Sequence, residues 1–579
     1  MSEARERREA GSGTAGPSLD GEDGALRTGG EDGTGQVAVP PARNTGGVPR
    51  VRHNDYGSLT PPEPGHWEPR LGVSVVIAAY DCQESLDRTL ASLAAQTYPA
   101  HLTEVVVADD GSEPPLRIDG PAPAGTRIVR VPEGRWGRGW ARQTGAASAT
   151  GDVLLWVDAD VVLDREHVEA HMRWHHLAPY AVVLGDIRFT PEPSGDAPGP
   201  EEVLAAVRRG RAEDLFPVSS PHAWRAERFA ETRRLREAGS RAHLLHSGAA
   251  TSVPLALLRA AGGVNTALNM GEDTDLGFRL AQAGAVFVPD PRATAWHLGP
   301  STVMTREKEV HRHNWSVLPD LIPDLRWLRA HPRRTWLVPY VRVVVDAAGA
   351  TYEEVRTSVD AALAGTLADV AVTVTGPWSA LPRGRRSSLD EPLLDLRLVR
   401  NLYGGEPRVS FAETVPDAAP APFRLTCPAG WALGPDTLAR LVEHAESEGY
   451  GLLSVVLDER ENGVTAARLE RTSAFARAAL VSGDDRDDLV HEMFGSLWVG
   501  GEEFGFTPAD RPQPVAGDTA RWRAEAARWR REAERLEDEV RSLRREAQEA
   551  RERAEQAGAE RRRGPIGEII ATVRHRRAG

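Results

Sequence analysis

The 579-residue chain has one lysine, Lys308, two cysteines, Cys82 and Cys427, and five methionines. Arginine carries nearly all the positive charge, which reads as a GC-rich coding bias and not as chemistry. Two distant cysteines make neither a disulfide framework nor a Cys-based zinc site. No run approaches the ~20 apolar residues that span a bilayer. The opening Met1-Ser-Glu-Ala-Arg-Glu-Arg-Arg8 lacks the apolar centre of a secretion signal. A soluble, cytoplasmic protein is expected. The net charge of −14 argues against a nucleic-acid binder acting through its whole surface.

What is present suits two or three domains, with 41% hydrophobic residues to build cores. Residues 1–68 are the exception. They are rich in Gly, Pro, Asp, Glu and Ser, with single scattered apolars, and are expected to be a disordered tether. Val73-Ser-Val-Val-Ile-Ala-Ala-Tyr80 then reads as a buried strand, and Leu86, Leu90 and Leu93 mark a helix that Pro99 stops. Glu104–Ser112 is a second strand closing on an acidic turn, and Arg127–Val131 a third. Strand, helix and strand in succession imply a parallel pair with a right-handed crossover, the mark of an α/β fold.

The chain is organised around Val153-Leu-Leu-Trp-Val-Asp-Ala-Asp160, an apolar run ending in two carboxylates one residue apart. In a strand both would point to the same side. They would stand at the carboxyl end of a strand, where open α/β sheets bind ligands. Two adjacent carboxylates repel unless a cation sits between them, and hard oxygen ligands suit Mg2+ or Mn2+. His167, His171 and His175 recur at intervals of four. Val168 stands where a zinc protease motif needs Glu, so they read as one helix face. Gly134–Gly145 lacks the glycine spacing of a dinucleotide-binding loop.

Val73–Tyr80, Val105–Ser112, Arg142, Asp158-Ala-Asp160 and Gly271-Glu-Asp-Thr-Asp-Leu-Gly277 follow one another in that order. Together they resemble a glycosyltransferase family 2 domain of the GT-A fold, over roughly Val73 to Trp315. The resemblance implies a nucleotide-diphospho-sugar donor over the first half of the sheet and an acceptor hydroxyl over the second. Donor contacts would come from Tyr80, Asp109, Asp110, Arg142 and Asp158. Asp109 would hold base or ribose, Asp110 would brace the turn, and Arg142 would face the diphosphate. Asp158, Asp160 and the late His297 would complete a metal site for Mg2+ or Mn2+. Asp273, beside Glu272, would be the catalytic base of an inverting transfer, with helix capping as the competing role. The Arg-rich stretch Glu201–Gly239, with Phe216, Trp224 and Phe229, would shape the acceptor pocket. The Gln-x-x-Arg-Trp signature of processive synthases is absent.

The first domain is expected over 69–336, ending in a Trp-rich connector. From 337 to about 510 the opening pattern recurs, with Gly376-Pro-Trp-Ser379 replacing the acidic turn and Pro428-Ala-Gly430 replacing Asp158-Ala-Asp160. This reads as a second, degenerate GT-A-like domain without its metal carboxylates, or as an unrelated α/β module. Over 511–560, apolar residues from Trp522 to Ala557 alternate steps of four and three, a coiled-coil seam suited to homo-oligomers. The basic tail, 561–579, suits peripheral contact with an anionic membrane face. The expected function is a metal-dependent inverting glycosyltransferase in a glycan, cell-envelope or natural-product pathway. The rivals are a non-enzymatic nucleotide-sugar or glycan scaffold assembled through the coil, and a nucleotidyltransferase.

Overall fold

The computed structural model describes residues 47–191, 197–329, 334–385, 387–461, 463–481, 483–510 and Arg535. Residues 1–46 of the expected tether, the coiled-coil seam and the basic tail lie outside the described residues. Two sheets organise the rest.

The first is built from β1 (Val73–Ala79), α1 (Gln83–Leu93), β2 (Thr103–Asp109), β3 (Thr126–Arg130), α2 (Arg138–Ser148), β4 (Val153–Asp158), β5 (Val161–Leu163), α3 (His167–His175) and β6 (Ala181–Phe189). It continues through α4 (Pro200–Arg208), β7 (Ser220–Pro221), α5 (Ala223–Glu231), β8 (Ala250–Pro254), α6 (Leu255–Ala260), α7 (Glu272–Gln282), β9 (Val286–His297), α8 (Thr302–Thr305) and α9 (Glu307–Leu321). Its strand order is β3-β2-β1-β4-β8-β6-β9-β5, with β7 beside β6. β1 pairs in parallel with β2 and β4, and β8 runs antiparallel to β4 and β6. Val75, Ile77, Val105, Val107 and Leu155 fill one side of this sheet with Leu86 and Leu90 of α1. Buried on both faces, β1 and β2 have near-continuous apolar sequences, as parallel strands do.

The second sheet takes β10 (Val341–Asp346), α10 (Tyr352–Ala364), β11 (Val370–Thr375), α11 (Leu394–Tyr403), β12 (Val409–Ala412), β13 (Phe423–Pro428), β14 (Trp431–Leu433), α12 (Thr437–Glu448) and β15 (Leu452–Arg460). It ends with β16 (Gly463–Arg471), α13 (Thr472–Leu480), α14 (Arg486–Phe494), β17 (Ser496–Gly500) and β18 (Phe506–Pro508). Its order is β12-β11-β10-β13-β16-β15-β17, with β14 pairing β18. Thr351 and Glu354 cap α10 reciprocally.

The segment before β1 departs from expectation. Residues 47–68 are packed, with Val51, Tyr56 and Leu59 buried. Asn54 lies in the core because every group it carries is used. Its amide donates to Leu235 O and Phe287 O at 2.9 Å, and its Oδ1 accepts from Phe287 N at 2.8 Å. A few well-placed side chains thus order a stretch whose average composition is polar. Val51 and Tyr56 share one core cluster with Tyr180 and Phe287 of the first sheet and with Ala474, Val490 and Phe494 from the second. Arg477 of α13 ties these parts together. Fully enclosed, it donates to Val51 O at 3.0 Å, Gly284 O at 2.9 Å and Ala285 O at 2.9 Å, and also to His53 O.

Candidate active site

The site lies at the carboxyl ends of β1, β2 and β4. Strand β4 stops at Asp158, and the chain turns through Ala159 and Asp160 into β5. β5 pairs antiparallel with the end of β9, which sets Val161 opposite His297. The backbone locks the corner, since Leu298 N donates to Asp160 O at 2.8 Å. This ladder brings together residues 137 positions apart (297 − 160). One ligand atom each from Asp158, Asp160 and His297 lies within 4.8 Å of the others.

His297 is fixed for such a role. Its Nδ1 sits 3.0 Å from Gly299 O, and a carbonyl only accepts, so Nδ1 carries the proton. Nε2 faces Asp160 Oδ1 at 3.6 Å. A carbonyl orienting the far nitrogen is the usual support for a metal-binding histidine. Asp160 is held above the ordinary carboxyl range by burial, with the charge of Asp158 adding and His297 opposing. Burial would raise Asp158 too, but Arg142, Arg138 and His297 outweigh it and hold it low. Two carboxylates and one imidazole nitrogen form a donor set that fits Mg2+ or Mn2+.

Arg142, on α2, joins this corner to the start of α7. It donates to Asp158 Oδ1 at 3.0 Å and to Glu272 Oε1 at 2.6 Å, and all but about 5% of its side chain is covered. Arg142, expected to face a diphosphate, has its guanidinium between two carboxylates. Glu272 is equally buried, and burial holds it above its ordinary range against the pull of Arg142. Asp273 is half-buried. Its Oδ1 accepts from Thr274 N at 2.7 Å, and its Oδ2 has no protein partner among the described residues.

The acidic turn after β2 divides its labour differently from the expectation. Asp109 is buried and braces the turn, its Oδ1 accepting from Gly111 N and Ser112 N at 3.2 and 2.8 Å. Its Oδ2 meets Arg130 at 3.3 Å. Asp110 instead reaches across to the Gly-rich loop, where Gly137 N donates to its Oδ2 at 2.7 Å. Gly137 has φ +98°, a conformation open to glycine. Tyr80, just after β1, is 61% exposed.

Two residues of the site carry no sequence motif. His246 packs beneath α7 with its Nδ1 2.8 Å from Asp273 O. Gly248 lies against the Arg142 guanidinium, where a Cβ would come within 2.0 Å of it. The three α3 histidines are buried and hydrogen-bonded within the core. His167 bonds Thr294 O, while His171 and His175 share Ser252 Oγ. Trp224 of α5 and Trp315 of α9 are exposed. No helix among the described residues is long and apolar enough to cross a membrane.

Part of the chain is similar in sequence to known glycosyltransferases. Residues 74–251 match the family model for glycosyl transferase family 2. The chain is 28% identical over 308 residues to validoxylamine A glucosyltransferase of Streptomyces hygroscopicus subsp. limoneus, covering 48% of this chain and 64% of that one. It is 30% identical over 174 residues to an uncharacterised glycosyltransferase of Nostoc sp., covering 27% of this chain and 52% of that one. The chain thus spans less than two thirds of these relatives. Among solved structures, it is similar to a mannosyltransferase from Pyrobaculum calidifontis in complex with GDP-Man and Mn2+. That match has 20% identity and a TM-score of 0.27, covering 44% of this chain and 64% of that one.

Proposed function

We infer, from the match of residues 74–251 to the family model for glycosyl transferase family 2, that the protein is a metal-dependent inverting glycosyltransferase. It moves a sugar from a nucleotide-diphosphate donor to an acceptor hydroxyl. The observation that carries this reading is the single guanidinium of Arg142 shared by Asp158 and Glu272. It couples the corner that would hold the cation to the helix start that would face the acceptor.

Asp158, Asp160 and His297 would hold Mg2+ or Mn2+, which when bound neutralises charge on the departing diphosphate. Tyr80 offers its ring to the base, and Asp110, held by Gly137, lines the same strand edge. Asp109 stiffens that edge from within. Arg142 keeps Asp158 ionised and Glu272 in place. Asp273, with Oδ2 open, accepts the proton of the acceptor hydroxyl. It stands in the first turn of α7.

Val341–Pro508 reads as a second copy of the fold that has lost its chemistry. Strand for strand, β12-β11-β10-β13-β16-β15-β17 matches β3-β2-β1-β4-β8-β6-β9. Donor turnover surviving in an Asp158→Asn, Asp160→Asn double variant would argue that transfer occurs elsewhere.

A screen of nucleotide-sugars for nucleoside-diphosphate release, with and without Mn2+, tests the main reading. Release should require the metal. Asp273→Asn should retain donor affinity within about threefold and lose transfer by at least ~100-fold, the usual weight of a general base. Equal turnover in the Asn variant would remove Asp273 from the reaction.

A further inference from the structure

The ladders of the two sheets can be read against each other. In the first, Ala78 pairs with Asp158 and Val161 with His297. In the second, Asp346 pairs with Pro428 and Trp431 with Pro508. The positions of Asp158, Asp160 and His297 are thus taken by Pro428, Gly430 and Pro508, none of which has a side chain that binds a cation.

The opening itself persists. A cleft of about 660 Å3 lies at this edge, within the size range of small-molecule sites. Gly430, at φ +86°, turns the chain so that the half-buried Trp431 forms part of the wall. Glu354 of α10 stands beside it. Its Oε2 is bonded to Thr351 N at 2.9 Å, and its Oε1 lies next to Gly430. Asp458 and Arg460, paired at 2.6 Å on β15, and Asp510 complete the charged lining.

Three carboxylates and one guanidinium leave the lining net negative. A nucleotide diphosphate would be repelled, and among the described residues these carboxylates are not gathered closely enough to hold an offsetting cation. An indole beside carboxylates fits a different chemistry. The C–H face of a sugar ring packs on the aromatic face. Its hydroxyls donate to carboxylates, which accept at both oxygens. We propose that this cleft binds an uncharged oligosaccharide, as a site separate from the one at Asp158 and Asp160.

The test is saturation-transfer NMR on the full chain with four neutral probes: maltotriose, cellotriose, chitotriose and mannotriose. At least one should show saturable transfer. Trp431→Ala should abolish it, and the surface variant Asp458→Asn should weaken it at least threefold while leaving nucleoside-diphosphate release unchanged. Asp160→Asn should leave the sugar signal intact. No transfer from any of the four probes would overturn the proposal. So would a signal that survives in Asp458→Asn and in a folded Trp431→Ala, or one that disappears in Asp160→Asn.

Discussion

Acid should destabilise this protein from about pH 6.5 downward, before ordinary carboxylates titrate, because four fully buried histidines must stay neutral. His167, His171, His175 and His246 are each at most 5% exposed. Burial pushes His167 and His246 down to about 4 and His175 to about 3, and holds His171 well below its ordinary value. The geometry gives a reason. Nε2 of His167, His171 and His246 and Nδ1 of His175 are enclosed without partners, so an added proton would have no acceptor. Folded-state values are depressed, so the unfolded chain takes up the protons as pH falls below about 6.5. The stability is therefore present above that pH and is lost on acidification toward the folded values. Each histidine costs about 1.4 kcal/mol per pH unit in this window, about 5–6 kcal/mol per unit for four. His243, pushed to about 3, is offset by its partner Asp324, 3.0 Å away, which burial holds up to about 7. Asp160 and Glu272, raised by burial, subtract further. The net expectation is a slope of at least two protons, about 2.7 kcal/mol per unit. Over the window from about pH 6.5 to about pH 4 this removes about 7 kcal/mol, comparable with the lower half of a typical stability of 5–15 kcal/mol. Urea unfolding followed by tryptophan fluorescence, from about pH 8 to about pH 5, measures the slope. A flat profile, or a slope at or below one proton (about 1.4 kcal/mol per unit), would refute this account of the buried rings.

Arg142→Met should cost about 3–5 kcal/mol of stability, because it strands Glu272 in the core. Adding Glu272→Gln should recover most of that loss, and purely additive effects in urea titrations would show that the pair is not coupled. Arg477→Met should cost about 3 kcal/mol by leaving enclosed carbonyls unmatched. Hydrogen exchange should quicken at His53, whose amide bonds Met493 O at 2.9 Å; unchanged protection there would remove Arg477 as the tie.

The sheet was legible because buried parallel strands need runs such as Val73–Ala79 and Val153–Val157 that no surface helix would tolerate. Asp158 and Asp160 were legible because a carboxylate pair at the end of such a run is costly without a purpose. The partners of Arg142 were not, since they lie 16 and 130 residues away and are set by how α2 and α7 pack. Asp109 and Asp110 show a finer limit. Adjacent residues on a strand end face opposite ways, and which one turns inward depends on the turn that Gly111 and Ser112 close. Residues 47–68 failed a composition test because composition averages over a segment. Their order rests on Val51, Tyr56, Leu59 and the three bonds of Asn54.

A lobe whose described residues gather no further metal-ligand cluster can still serve the first. Helix α7 begins with Glu272 and Asp273 at the candidate site and ends at Gln282. Two residues later comes Gly284, at φ +93°, with Arg477 of the second lobe donating to its carbonyl. A Cβ there would come within 2.6 Å of Arg477 N, so the contact admits glycine alone. A buried helix in a close-packed core moves as a stiff body. What grips its far end therefore limits where the carboxylates at its near end can sit. The second lobe thus buttresses the helix that carries the proposed base, whether or not its own cleft is filled. Since Leu489, Val490 and Phe494 complete the same core cluster as Leu276 and Leu280 of α7, selection on the first site would act on the second lobe too.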